Sequence, residues 1–262
     1  MDYLKTIIEH KLTEIQDIKR RTPLEEIKNS ECMYEQYSLK NALLTHCPAI
    51  IAEIKRRSPS KGEINSAIDP VKLALSYEKA GAAALSVLTD NRFFGGSSED
   101  LINVKQNVWL PVLRKDFIVD TYQIYESKYI GADAILLITS CLERSTLQEF
   151  LALAKVLQLE TLVEVENITD IEIIDGLAVD IIGVNNRNLH TFEQSIETSF
   201  SLSPLLPETA VKVSESSITN GTEIASLYRL GYRGFLIGEM FMRSNNPETA
   251  IQSIIKEFSE NQ

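Results

Sequence analysis

Apolar residues at Leu4, Ile7, Ile8, Leu12, Ile15 and Ile18 stand among charges with the spacing of one helical face, which predicts an amphipathic helix over residues 2–20. Thr22-Pro23 has the form of a second helix start, residues 23–43 keep a helical composition with weak periodicity, and His46-Cys47-Pro48 breaks the pattern. From Ala49 the rhythm changes. Short apolar runs follow at Ala49–Ile54, Ala84–Leu88, Pro111–Arg114, Ala134–Ile138, Thr161–Val165, Ile181–Val184, Ala210–Val213 and Gly234–Gly238. Their near-continuous apolar character is that of strands covered on both faces. Helical segments intervene, among them Pro70–Ala80, Asp120–Ile130, Leu147–Gln158 and Gly221–Leu230, and three of these run into a glycine expected to cap the helix, Gly81, Gly131 and Gly231.

Alternation of this kind means parallel β structure. Eight units in a chain of 262 residues match a closed (β/α)8 TIM barrel, usually about 250 residues, better than an open doubly wound sheet. Neither GxGxxG nor GxxxxGK[ST] occurs to favour the open form. The expected organisation is one barrel domain over residues 1–262, with residues 1–47 a helical extension packed on a barrel of residues 48–262. The apolar stripe of the extension is expected to cover the rim near Ser58 and Phe94.

The first strand carries charge where a buried strand should have none. Glu53 and Lys55 are two apart and so share one side of the sheet. Burying either alone costs several kcal/mol, and a mutually satisfied ion pair would answer that cost. Ser58-Pro59-Ser60-Lys61-Gly62 then adds hydroxyls, a rigid turn and a cation at the strand's carboxyl end, where α/β folds bind ligands. The other strand ends are equally polar: Phe93-Phe94-Gly95-Gly96-Ser97, Arg114-Lys115-Asp116-Phe117, Glu164, Asn185-Asn186-Arg187, Ser214-Glu215-Ser216-Ser217 and Gly238-Glu239. Lys115 can snorkel to water or act on a substrate; Glu164, among apolar neighbours, would have a raised pKa suited to acid–base work. Asn185 and Asn186 also suit a turn, and Phe93-Phe94 suit a core as well as a lid.

Charge sharpens the picture. The formal balance is 26 − 37 = −11, so nothing global favours nucleic acid or an anionic membrane as partner. Yet Lys55, Arg56, Arg57, Lys61, Arg114, Lys115 and Arg187 are all expected on one rim, a local positive funnel for a small anion. The loops after strands seven and eight are this fold's habitual phosphate site, working through backbone N–H groups. With 44% hydrophobic and 24% charged residues, the composition is ordinary for a globular chain. Cys32, Cys47 and Cys141 lack CxxC spacing, which implies a reducing compartment and no metal. No signal-peptide core or long apolar run occurs, and a cytoplasmic location is expected.

The run Ile51-Ala52-Glu53-Ile54-Lys55-Arg56-Arg57-Ser58-Pro59-Ser60 closely resembles the signature of the indole-3-glycerol-phosphate synthase family of tryptophan biosynthesis. Further matches are Phe94, Lys115-Asp116-Phe117, Glu164, the stretch Gly183–Leu189, Glu215-Ser216 and Phe235–Glu239, so the resemblance spans nearly the whole chain. It implies a carboxy-lyase that closes the ring of 1-(2-carboxyphenylamino)-1-deoxyribulose 5-phosphate, releasing carbon dioxide and water, with no cofactor. It implies Lys115, Glu164, Lys55, Glu53 and Asn185 as catalytic, either lysine being able to act first. Ser58, Pro59, Phe94, Phe117, Arg187 and Glu215 would contact substrate, and Ser58, Ser216, Ser217, Gly238 and Glu239 would hold its phosphate. A small phosphorylated substrate, no nucleic acid, no membrane and a monomer are the expected partners and state. One departure is Ser217, where the family has glycine; a negative φ, with the hydroxyl free to donate to phosphate, is the expectation there. Another phosphate-binding barrel enzyme, a non-catalytic phosphate-binding barrel and a module for an acidic or nucleic-acid partner are the alternatives.

Overall fold

The computed structural model describes residues 3–29, 34–59, 62–65, 67–188 and 193–262; Cys32, Ser60, Lys61 and Leu189 of the sequence reading lie outside the described residues. Eight parallel strands close into a barrel: β1 (Ala49–Ile54), β2 (Ala84–Leu88), β3 (Val112–Lys115), β4 (Ala134–Ile138), β5 (Glu160–Val165), β6 (Ile181–Asn185), β7 (Val211–Glu215) and β8 (Tyr232–Ile237). Each pairs with its sequence neighbours, and β8 returns to β1 with Ala49 opposite Gly234. This is the (β/α)8 TIM barrel expected.

Period two sorts the side chains. Ile50, Leu85, Val112, Ile135, Val163 and Ile182 point outward beneath the helices and form the larger core. Ala49, Ile51, Leu113, Leu136, Leu162 and Val213 point inward and fill the barrel. Strands β3, β6 and β7 run one or two residues past the apolar runs, to Lys115, Asn185 and Glu215. Ladder hydrogen bonds do not require apolar side chains, so hydrophobicity alone underestimates a strand whose end is polar and functional.

The helices expected over Pro70–Ala80, Asp120–Ile130 and Gly221–Leu230 are found at Pro70–Lys79, Thr121–Tyr129 and Gly221–Arg229 and are capped by residues of the right kind. Asp69 accepts from the N–H groups of Val71 and Lys72 at 3.1 Å each, and Asp120 forms a capping box with Gln123. Gly81, Gly131 and Gly231 all take positive φ. The helix expected over Leu147–Gln158 spans Arg144–Val156 instead, and Gln158, at φ 56°, turns the chain after it where a glycine would be the usual sign.

The amino-terminal extension forms α1 (Tyr3–Arg21), α2 (Leu24–Lys28) and α3 (Leu39–Thr45), and it divides between the two ends of the barrel. α1 lies at the carboxyl-terminal mouth, where His10 meets Phe93 edge to face with ring centroids 5.7 Å apart. α3 closes the opposite mouth: Leu39 and Leu43 are fully buried against the ends of the strands, and a Cβ on Gly234 would come 2.7 Å from Leu43. The expected stripe of α1 also needs correction. Leu12 is 45% exposed, whereas Lys11 is 3% exposed, because part of the surface beneath α1 is acidic.

Candidate active site

The inward residues at the strand ends converge. Lys115 Nζ lies 3.1 Å from Glu164 Oε2 and in closer contact with Glu215 Oε2. The other oxygen of Glu164 accepts from Asn185 Nδ2 at 3.1 Å, and Asn185 Oδ1 accepts from the Arg187 N–H at 3.0 Å. Across the barrel Lys55 is hydrogen-bonded to Glu53 Oε1, so the two share a face as their spacing requires. Glu53, Glu164 and Glu215 are each at most 4% exposed.

Two adjoining cavities open onto this cluster. The inner one, about 90 Å³, has apolar walls that include Phe94, Phe117, Leu136 and Ile138, and its polar lining includes Lys115, Glu164 and Glu215. The Phe94 and Phe117 rings pack beside each other, with centroids 6.0 Å apart and planes inclined by 38°. Ser58 and Pro59 also border it, and Ser58 Oγ is buried with no hydrogen-bond partner among the described residues. The outer cavity, about 280 Å³, is bordered by Ser216, Ser217, Gly238, Glu239 and Arg243. Glu53, Lys55 and Arg187 border both. Ser58 does not border the outer cavity, so among the residues assigned to phosphate it stands apart from the other four.

Electrostatics give the groups different characters. Burial pushes the Glu215 carboxyl up to about 7, opposed by Lys115 and reinforced by Glu164 and Glu53. This is a different carboxyl from Glu164, where the sequence alone placed the expectation of a raised value. For Glu53, burial would also raise the pKa, but Lys55, Lys115 and Arg187 outweigh it and hold the group below its ordinary value. Burial would lower the pKa of Lys115; Glu215, Glu164 and Glu53 together raise it, so the ammonium persists.

Two glycines make room for these acids. A Cβ on Gly183 would lie 2.0 Å from Glu215 Oε1, and one on Gly238 would lie 2.4 Å from Glu53 Oε1. Glu215 Oε1 has no hydrogen-bond partner among the described residues, which leaves an acceptor open inside the barrel.

The positive rim is narrower than expected. Lys55, Lys115 and Arg187 face the cavities, but Arg114 points outward and is buried behind β3, 2.7 Å from Glu126 and 3.3 Å from Asp116. Arg56 holds Asp100, with one contact of 3.0 Å, and Arg57 donates to the Asn91 carbonyl at 2.6 Å. Alternation along the strand explains Arg114: when Lys115 faces in, its neighbour faces out. Asn186 sits in the bend that follows β6, where its side chain donates to Ser214 Oγ at 3.0 Å and accepts from the Ser199 N–H at 3.0 Å behind the strands.

Ser216 and Ser217 take φ of 66° and 60°, so the negative φ expected at Ser217 is overturned. A left-handed serine costs of order 1–3 kcal/mol, held here by the surrounding turn. Its hydroxyl lies 3.4 Å from the Gln194 amide. Gln194, paired with Arg187 in an isolated bridge and unmarked by any sequence signal, offers its amide oxygen to the Arg187 Nη2 at 2.5 Å.

Paired lysines and carboxylates around an aromatic-walled cavity, with a second cavity beside it bordered by the segments after β7 and β8, define a class: (β/α)8 barrels with an acid–base site at the carboxyl-terminal mouth. Solved structures share the fold at low identity. One is 3-hexulose-6-phosphate synthase from Salmonella typhimurium, with a TM-score of 0.65 at 12% identity over 82% of this chain and 100% of that one. Another is thiamine phosphate pyrophosphorylase from Pyrococcus furiosus, with a TM-score of 0.61 at 13% identity over 86% and 99%. Sequence similarity is closer and more specific. The profile of the indole-3-glycerol phosphate synthase family matches residues 4–254. The indole-3-glycerol phosphate synthase of Bacteroides thetaiotaomicron is 43% identical over 97% of this chain and 98% of its own length. That of Polaromonas naphthalenivorans is 41% identical over 98% and 99%. The chain belongs to the indole-3-glycerol phosphate synthase family.

Proposed function

We propose that the chain converts 1-(2-carboxyphenylamino)-1-deoxyribulose 5-phosphate to indole-3-glycerol phosphate, with release of carbon dioxide and water. Family membership supports the reaction, and the observation that carries the site assignment is Lys115 held between Glu164 and Glu215 in the inner cavity, beside the Glu53, Lys55 and Arg187 side chains that border both cavities. The aryl ring lies against Phe94 and Phe117 in the inner cavity, with Pro59 and Ser58 at its edge. The phosphate lies in the outer cavity against the Ser216-Ser217 turn and the Gly238-Glu239 backbone. That placement puts the ketone near Lys115.

Ring closure joins the carboxylate-bearing aryl carbon to the ketone carbon. The ketone oxygen must gain a proton as the bond forms, and Lys115 donates it. Loss of carbon dioxide from the same aryl carbon returns its electron pair to the ring. The new hydroxyl then leaves as water, which needs an acid at oxygen and a base for the proton lost; Glu164, oriented by Asn185, and Lys55, oriented by Glu53, serve this step. Glu215, with a pKa of about 7, can return a proton to Lys115 near neutral pH. Arg187, bordering both cavities, supports the substrate's anionic groups. No cofactor takes part in this scheme. Incubation of the protein with the carboxyphenylamino substrate should generate indole fluorescence with one carbon dioxide released per product. Binding of that substrate without either signal, or a protein–substrate adduct trapped by borohydride, would instead point to another barrel chemistry.

A further inference from the structure

Lys11 is the one residue of the α1 interior face that sequence periodicity leaves unexplained. It sits between Ile7 and Ile15, both buried, and is itself 3% exposed. Its ammonium lies 3.0 Å from Asp90 Oδ2, 3.0 Å from Asp116 Oδ1 and 2.7 Å from Glu14 Oε2. Burial would lower its pKa, but Asp116 and Asp90 more than reverse this, so the charge is retained.

The two aspartates belong to the segments that follow β2 and β3, and each also fixes backbone. Asp90 Oδ1 accepts from the N–H groups of Phe93 and Phe94 at 2.7 and 3.3 Å. Asp116 Oδ1 accepts from the Phe117 N–H at 2.8 Å, while Oδ2 accepts from the Thr89 hydroxyl at 2.6 Å and from Arg114 at 3.3 Å. A single cation from α1 therefore bridges the carboxylates that set Phe94 and Phe117, adjoining aromatic walls of the inner cavity. Asp116 is also the immediate neighbour of Lys115.

We infer that Lys11 is a positioning residue for the reaction proposed above: it fixes the separation of the β2 and β3 ends, and with it the aromatic walls and the approach of Lys115 to substrate. The inference rests on that functional reading, but the bridge it describes can be measured without it. α1 thereby becomes part of the machinery at the carboxyl-terminal mouth, through one buried charge.

Lys11→Met keeps the aliphatic stem and removes the ammonium. Hydrogen exchange at the Phe93, Phe94 and Phe117 amides should accelerate at least about tenfold, while amides of the strand interiors keep their protection. Turnover should fall by at least about tenfold, because an ångström of misplacement is enough for such a loss. The double variant Lys11→Met/Asp90→Asn balances the charge again and should regain thermal stability without regaining turnover. Should the single variant fail to fold, both measurements are made on the double variant. Unchanged exchange at the three amides, or turnover that recovers together with stability, would reduce Lys11 to a structural ion and overturn the inference. An inactive wild-type protein would instead refute the functional reading, with exchange still deciding whether Lys11 holds the bridge.

Discussion

At the amino-terminal mouth of the barrel, Leu39 and Leu43 of α3 fill the opening and the carboxylates beside them are fully engaged. Asp133 accepts from Lys105 at 2.7 and 2.8 Å and from the N–H groups of Tyr37 and Val112, and Glu160 accepts from the Ser38 hydroxyl at 2.7 Å and the Lys40 N–H at 2.8 Å. At the carboxyl-terminal mouth, Glu53, Glu164 and Glu215 crowd round Lys55 and Lys115, and Glu215 keeps one oxygen unpartnered among the described residues. Both ends bury charge. Burial raises the carboxyl pKa at both ends, at Asp133 as at Glu215, so the difference lies in the hydrogen bonds: one arrangement engages both oxygens of each acid, and the other leaves a Glu215 oxygen unpartnered among the described residues, which is a stability cost with chemical use.

If this contrast is right, substitutions at the two mouths should fail in different currencies. The largest expected effect is at the carboxyl-terminal end: Lys115→Ala or Glu164→Gln should lower turnover by at least about a hundredfold, since general acid–base groups contribute 10²–10⁴. Single-turnover measurements at saturating substrate would check this, and near-normal rates would remove the residue from the catalytic set. Next in size, Leu43→Ala should cost about 2–5 kcal/mol of stability while leaving turnover of the folded fraction near the wild-type value. Denaturant titration and active-site-normalised rates would separate the two; a comparable loss of turnover would mean the mouths are coupled.

A smaller effect follows from Glu215. Its folded pKa of about 7 exceeds the ordinary 4.5, so the folded protein takes up a proton between these values, and this group's contribution to stability rises as pH falls through that window. Unfolding free energies between pH 8 and pH 4.5 should carry a slope of at most about 1.4 kcal/mol per pH unit from it, absent in Glu215→Gln. Identical slopes in both proteins would place the raised pKa elsewhere. The smallest expected change is Ser217→Gly, which relieves a left-handed serine and should add about 1 kcal/mol of stability and tighten binding of inorganic phosphate. Weaker phosphate binding in the glycine variant would show that the hydroxyl reaches the anion.

Legibility in the sequence followed the physics of each feature. The eight strands could be read because a buried parallel strand needs apolar residues on both faces, and Glu53 and Lys55 stood out because they break that need. The same reasoning reached Lys115, Glu164 and Asn185, which do line one cavity. Arg114 was misplaced because a run of cations conceals the two-residue alternation that sends neighbours to opposite faces. Lys11 was missed because periodicity marks apolar positions, and a buried lysine is visible only once Asp90 and Asp116 are known to lie beneath it. The division of the extension between two mouths is a long-range outcome, as is the left-handed turn at Ser217, which local preference opposes.

Gly183 carries one more consequence. Its missing side chain is the mould into which the Glu215 carboxyl is cast, and that carboxyl is the far end of a rotatable side chain. An alanine there can be accommodated by swinging the acid off Lys115, so the barrel would survive while its proton chemistry drifted out of register. Protection against such a change cannot come from pressure to stay folded. It must come from pressure on the reaction itself, and the most chemically silent residue in the site would then tolerate replacement as poorly as the lysine it never touches.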